Sequence, residues 1–259
     1  MTSKLLRTLP GFLLLLFAIS SCSNGSQRSF TKEPIDNIIR DYTQSPELTV
    51  LLYDMDYDEA ADKYQHQYRV IYQPQGKDTL LEKTTEWLPV SASYFDEHVN
   101  DMGMALVTKT DGVVEKKTSP PGYNNYVGNE KYGQWEKRSD GTSFWAFYGQ
   151  YAFMRSLFGY GYGPIYYGGW NDYRRNYYPY GRTYYGRDTR GGTQFGTGGT
   201  HTKQTNTRSK WSNKSTAFKQ KVRSRVKQSA TRSTSRTSRS SSRYRSSSSS
   251  RSRGFGGGK

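Results

Sequence analysis

Apolar and polar residues along this chain fall into short periodic blocks. After Pro34, which suits the first turn of a helix, Ile35, Ile38 and Ile39 recur at helical spacing. Asp41-Tyr42 and Ser45-Pro46 predict the end of that helix. From Leu51 the pattern alternates, as in a strand. Leu51, Tyr53, Met55 and Tyr57 take one face, and Leu52, Asp54, Asp56 and Asp58 the other. A second strand is predicted from Tyr64 through His66, Tyr68, Val70 and Tyr72, closed by the turn sequence Gln73-Pro74-Gln75-Gly76. A third runs from about Thr79 to Leu88. Ser91 or Ser93 can cap a short helix containing Tyr94, Phe95, His98 and Val99. Asp111-Gly112, flanked by Met104–Lys109 and Val113–Lys116, predicts a hairpin. The aromatic run from Ser143 to Phe158 is expected to be a helix, packed on the sheet or lying at an interface. Residues 32–158 therefore read as an α+β domain, a small antiparallel sheet of about five strands with two or three helices. Its length is enough for one core.

Composition changes the picture beyond residue 158. Between Tyr160 and Tyr185, ten of 26 residues are Tyr, mixed with Gly, Arg and Asn, and residues 159–200 read as a low-complexity segment. Residues 201–259 hold 17 Ser and 17 Lys or Arg with no acidic residue. So polar a segment is expected to be disordered, because it cannot bury enough apolar surface to offset chain entropy. One exception is visible. Trp211, Phe218, Val222 and Val226 fall near one helical face, with Lys219, Lys221, Arg223, Arg225 and Lys227 around the rest. That is a weak basic amphipathic helix, suited to an anionic surface.

The net charge of +16 is unevenly placed. Residues 31–159 carry 13 basic and 20 acidic side chains, so an acidic body bears a basic tail. Such asymmetry points to an anionic partner for the tail. The residues expected to meet it are Arg223, Arg225, Lys227, Arg232, Arg236, Arg239, Arg243 and Arg245. The negative body could also attract the tail within the molecule.

Catalytic and metal chemistry finds little support. Asp54-Met55-Asp56-Tyr57-Asp58-Glu59 begins like a calcium loop, but Glu59 and Gln65 stand where that loop needs Gly and Glu. The three Asp are expected to form a solvated strand face. His66 reads as a structural histidine, and His66, His98 and His201 lack zinc-ligand spacing. No serine sits in a Gly-x-Ser-x-Gly elbow, and the glycine clusters lack the context of a phosphate loop. The chain is expected to be no enzyme and to need no cofactor.

The N-terminus bears on location. Lys4 and Arg7 precede an apolar stretch, Gly11 to Ile19, too short to cross a bilayer as a permanent helix. It fits the apolar region of a signal peptide over residues 1–21. The quartet Ile19-Ser20-Ser21-Cys22 resembles the lipobox of bacterial lipoproteins. That resemblance implies cleavage before Cys22 and a lipid anchor on its thiol, with residues 22–31 as a polar tether. Ser23 is similar to the residue that sorts proteobacterial lipoproteins to the outer membrane. Cys22 is the single cysteine, so once lipidated it leaves no thiol for a disulfide, metal site or nucleophile. Ser143-Phe144-Trp145 and the tail through Gly254-Phe255-Gly256 also resemble a group of uncharacterised enterobacterial envelope lipoproteins. Those proteins differ in their N-terminal half and bring no known activity. Together these features predict a membrane-anchored envelope protein whose tail contacts cell-wall polymer, lipopolysaccharide or lipid headgroups. The alternative partner is nucleic acid, bound by the Tyr/Gly/Arg and Ser/Arg segments.

Overall fold

A computed structural model describes residues 33–159, 163–188 and 190–241, with side chains through residue 228. The expected signal sequence, Cys22 and the expected tether lie outside the described residues, as do Arg243 and Arg245.

The fold is α+β. Helix α1 (Pro34–Asp41) starts on its proline and buries Ile35 and Ile38. Strands β1 (Leu48–Asp58) and β2 (Lys63–Tyr72) form a long antiparallel pair. The far edge of β2 is covered in turn by β3 (Leu81–Thr84) and β4 (Leu88–Val90), two short strands where one is expected. On the other side β1 pairs with β5 (Ala105–Thr110), which pairs with β6 (Val113–Glu115). The sheet thus has six strands, ordered β3-β2-β1-β5-β6 with β4 beside β2. Asp111 and Gly112, at φ of 49° and 82°, form the expected two-residue hairpin turn between β5 and β6. Ser91 caps α2 (Ala92–Glu97), its hydroxyl accepting the Tyr94 N–H at 3.1 Å.

A bulge corrects the predicted faces of β1. The pairing with β2 shifts register between Leu52 and Asp54, leaving Tyr53 as an extra residue. Alternation therefore changes phase. Leu48, Val50, Leu52, Met55 and Tyr57 share one core, whereas Leu51 belongs to the core on the opposite face.

The run from Ser143 is a strand for its first part, not a helix. Strand β8 (Ser143–Phe147) pairs with β7 (Gly133–Lys137) as a separate hairpin, and Trp145 faces Trp135 across it. Cross-strand aromatic pairs stabilise such a ribbon. Further on, Gly149–Tyr151 form a single 3-10 turn and Met154–Leu157 the short helix α3.

The expected domain boundary at residue 158 also needs correction. Helix α4 (Tyr167–Asn176) and the loops around it supply Ile165, Tyr173, Tyr184 and Phe195 to a core with Leu51, Ile71, Tyr123, Tyr126 and Trp145. What reads as low complexity is a tyrosine-built layer. The rings carry apolar area while the glycines turn the backbone. Gly128 shows why: it sits at φ +80° with the Trp170 indole 2.4 Å from where a Cβ would stand.

The start of the basic tail is packed as well. Helices α5 (Thr200–Thr205), α6 (Lys210–Asn213) and α7 (Thr216–Ser241) follow one another. Trp211, Val222 and Val226 are buried with α2, β1 and β2, and Phe218 packs against them. The apolar positions expected to meet an external surface instead complete a core. Trp211 lies on a separate turn from the other three, because the chain breaks at Lys214 and Ser215.

Candidate functional site

The end of β1 and the turn after it carry the densest acidic run of the body, and the basic C-terminal segment packs on it. Asp54 is 4% exposed, and its carboxylate is surrounded by donors. The Ser209 hydroxyl donates to Oδ1 at 2.7 Å, the Lys210 N–H to Oδ2 at 2.6 Å and the Trp211 N–H to Oδ1 at 3.3 Å. Its neighbour Met55 donates its own N–H at 2.8 Å. A strand residue thereby satisfies the first turn of α6, while Ser209 also accepts the Ser212 N–H. Around this buried bond lie ion pairs. Asp56 meets Lys214 at 3.4 Å and Lys210 at 3.8 Å, Glu59 meets Lys221 at 2.7 Å, and Asp62 meets Arg225 at 3.8 Å. The Lys221 contact holds the Glu59 carboxyl below its ordinary pKa. These exposed pairs each add little; the anchor is Asp54 with Trp211. Asp54 and Asp56 are therefore not a plain solvated face, whereas Asp58 holds only the exposed turn at Ala60 and Ala61.

The predicted anion-binding residues divide along α7. Arg223 donates to the Asn100 amide oxygen at 3.2 Å. Arg225 donates to the Tyr57 hydroxyl and lies over its ring. Lys227 follows on the same packed part of the helix. Arg232, Arg236 and Arg239 lie on the helix beyond Val226, the last buried residue among those whose side chains are described. The sequence shows Trp211, Phe218, Val222 and Val226 as an apolar set and an acidic run that could attract the segment, but not which surface the set covers.

A second polar cluster lies in the core under α2. His66 Nδ1 and the Tyr68 hydroxyl are 3.1 Å apart. The Tyr94 ring stands edge-on to His98, at 4.6 Å between centroids. His98 Nδ1 is 2.9 Å from Asp101 Oδ2, and the Tyr185 hydroxyl donates to the other oxygen at 2.7 Å. Burial pushes the His66 pKa down to about 3, aided by the charge of His98, so the ring is neutral. Burial likewise drives the tyrosine hydroxyls of Tyr68 and Tyr94 upward. Sequence reasoning placed His66 as structural, and the structure buries it fully. His98, Glu33, Asp36, Glu97 and Lys116 line a cavity of about 180 Å³, in which Lys116 is paired with Asp36 at 2.5 Å. Burial, with the charges of Glu97 and Asp36, raises the Glu33 carboxyl. Among the described residues no three His, Cys, Asp or Glu are placed to hold a metal ion. None of the described helices is long and apolar enough to cross a membrane.

The Tyr/Gly/Arg segment uses its rings internally. Tyr173 and Tyr184 are buried, and Arg174 lies over Tyr178 at 4.3 Å from the ring centroid. Tyr166, Tyr167 and Tyr180 remain exposed. The chain matches no family model, no curated protein and no solved structure.

Proposed function

We propose that this chain is a non-catalytic envelope lipoprotein, anchored through lipid on Cys22, in the outer membrane. Its basic C-terminal end contacts anionic lipids or envelope polymers. The observation that supports the reading is the division of the tail's cations. Lys210, Lys214, Lys221, Arg223 and Arg225 are engaged by the body. After Val226 the α7 sequence contains no apolar residue larger than Ala230, yet the helix continues to Ser241. Those last fifteen residues span about 22 Å of helix. Within that stretch Arg232, Arg236 and Arg239 follow at sequence spacings of four and three. A row of cations along a helix suits an extended row of phosphates or headgroups, at about 1 kcal/mol per cation near an anionic surface. Nucleic acid is less favoured, because the Tyr/Gly/Arg segment spends Tyr173 and Tyr184 on its own core.

The test compares the full chain with one ending at Gln228. Both are titrated onto vesicles with and without anionic lipid, across a salt series. The truncated chain is expected to melt like the full one and to lose the salt-sensitive binding. Equal binding by both would reject the role given to the tail, and a preference for oligonucleotide over anionic vesicles would favour nucleic acid. Fatty-acid labelling and fractionation of wild type and Cys22→Ala test the anchor. A Cys22→Ala chain that still labels and sediments with membranes would reject it.

A further inference from the structure

Away from the acidic edge, a cleft of about 350 Å³ opens beside Tyr166. Its volume falls in the range of small-ligand sites. We propose that this cleft binds an uncharged oligosaccharide.

The lining chemistry points there. Tyr166 supplies an aromatic face, Gln194 and Gln204 planar amides, Thr200 a hydroxyl, and Arg187 and Asp188 one charge of each sign. Donors and acceptors are therefore both present without a net charge. His201 also lines the cleft, and burial pushes its pKa down to about 4, so it adds no charge near neutrality. A phosphate-bearing ligand would find one guanidinium next to a carboxylate. An apolar ligand would offer no hydrogen bonds to the amides, the guanidinium or the carboxylate. A sugar ring offers what this wall matches: flat C–H faces for an aromatic ring and a rim of hydroxyls for planar polar groups.

The wall is fixed on backbone from several sides. Tyr166 bridges Phe144 of the β7–β8 hairpin, and the Trp145 N–H donates to the Ile165 carbonyl at 2.8 Å. Arg187 bridges Thr193, and Asp188 Oδ1 accepts the Arg190 and Gly192 N–H groups at 2.9 and 2.7 Å. Thr200 and Gln204 stand one turn apart on α5, so they share a side of that helix. His201 donates Nε2–H to the Phe158 carbonyl at 2.5 Å, which ties α5 to the chain just before Gly159, another lining residue. The aromatic surface also continues past the cleft. Tyr166 and Tyr167 are 44% and 42% exposed, and Tyr167 meets Trp135 and Trp170 at 5.0 and 6.0 Å. Exposed aromatics gathered in one place mark a contact surface.

This reading does not depend on the tail, and the experiment separates the two. The full chain in detergent is titrated by calorimetry with the hexasaccharides of chitin, cellulose and amylose, and with uncharged nucleosides. Saturable binding of at least one hexasaccharide is expected, unchanged by raised salt or by ending the chain at Gln228. Tyr166→Ala and Gln204→Ala should each weaken it about tenfold, while Tyr166→Phe keeps the stacking face and most of the affinity. Melting temperature checks that each variant folds. Four results would overturn the proposal: no binding of any hexasaccharide, binding that both alanine variants leave intact, binding abolished by salt or truncation, or binding of nucleosides alone.

Discussion

Replacing Asp54 by Ala removes one carboxylate that joins strand β1 to a segment 155 residues further along. The side chain is 4% exposed and receives the Ser209 hydroxyl and the backbone N–H groups of Lys210 and Trp211. A hydrogen bond to a charged acceptor contributes about 1.5–3 kcal/mol, and a buried donor left unmet costs about 1–3 kcal/mol. Part of the loss is offset because the buried charge no longer has to be desolvated. The net destabilisation expected is about 3–4 kcal/mol, a fall in melting temperature of about 6–16 °C for a domain of this size. Asp54→Asn keeps an acceptor without the charge and should cost about half as much. Asp58→Ala is the control. Its carboxylate accepts the N–H groups of Ala60 and Ala61 in an exposed turn, so its loss should cost under about 1 kcal/mol. Urea denaturation gives the free energies. Trypsin digestion should show new cleavage at Lys203, Arg208 or Lys210 in Asp54→Ala, as the segment comes away. A variant as stable as wild type, or one destabilised with no new cleavage there, would refute the anchoring role.

Three further outcomes follow from the packing. A chain ending at Ser209 loses Trp211, Val222 and Val226 from the core and should fail to melt cooperatively by calorimetry, whereas one ending at Gln228 should melt normally. Gly103→Ala places a Cβ 2.3 Å from the Thr202 hydroxyl at a φ of +82°, so circular dichroism should show a melting temperature lower by several degrees. His66 and His201 have folded pKa values lowered to about 3 and 4, from 6.5. The unfolded chain therefore binds more protons between those values. Stability from this source is complete above about pH 6.5, falls as pH drops through the window, and levels off near pH 3–4. Urea midpoints measured from pH 8 to pH 4 should decline by an amount that His66→Gln and His201→Gln reduce.

Much of the sheet was legible, because it is built from local signals. Asp111-Gly112 allows few turns other than the one it makes, and Ser91 lies where a cap must. The faces of β1 were legible only up to Tyr53, since a bulge reverses the alternation and nothing in a two-residue period announces it. The boundary at 158 misled for a different reason. Tyr is polar by composition but carries a ring that fills a core, and glycine turns between such rings look like low complexity. Asp54 and Asp56 read as solvated because their partners lie more than 150 residues away, beyond the reach of any local pattern. The four apolar positions of the tail were found, but amphipathicity alone does not say whether a helix covers a membrane or its own sheet.

The bond between Asp54 and Ser209 also has a kinetic side. It closes a loop of most of the domain, and such distant pairings are slow to form. Until Trp211 and Val226 arrive, the face of the sheet that holds Val50 and Met55 has only part of its cover, from α1 and α2. An intermediate with that face open is prone to association. A chain made from its N-terminus thus carries its own completion test. The acidic edge stays unsatisfied until nearly the last segment is present, and a product cut short remains recognisable to proteases by its open core.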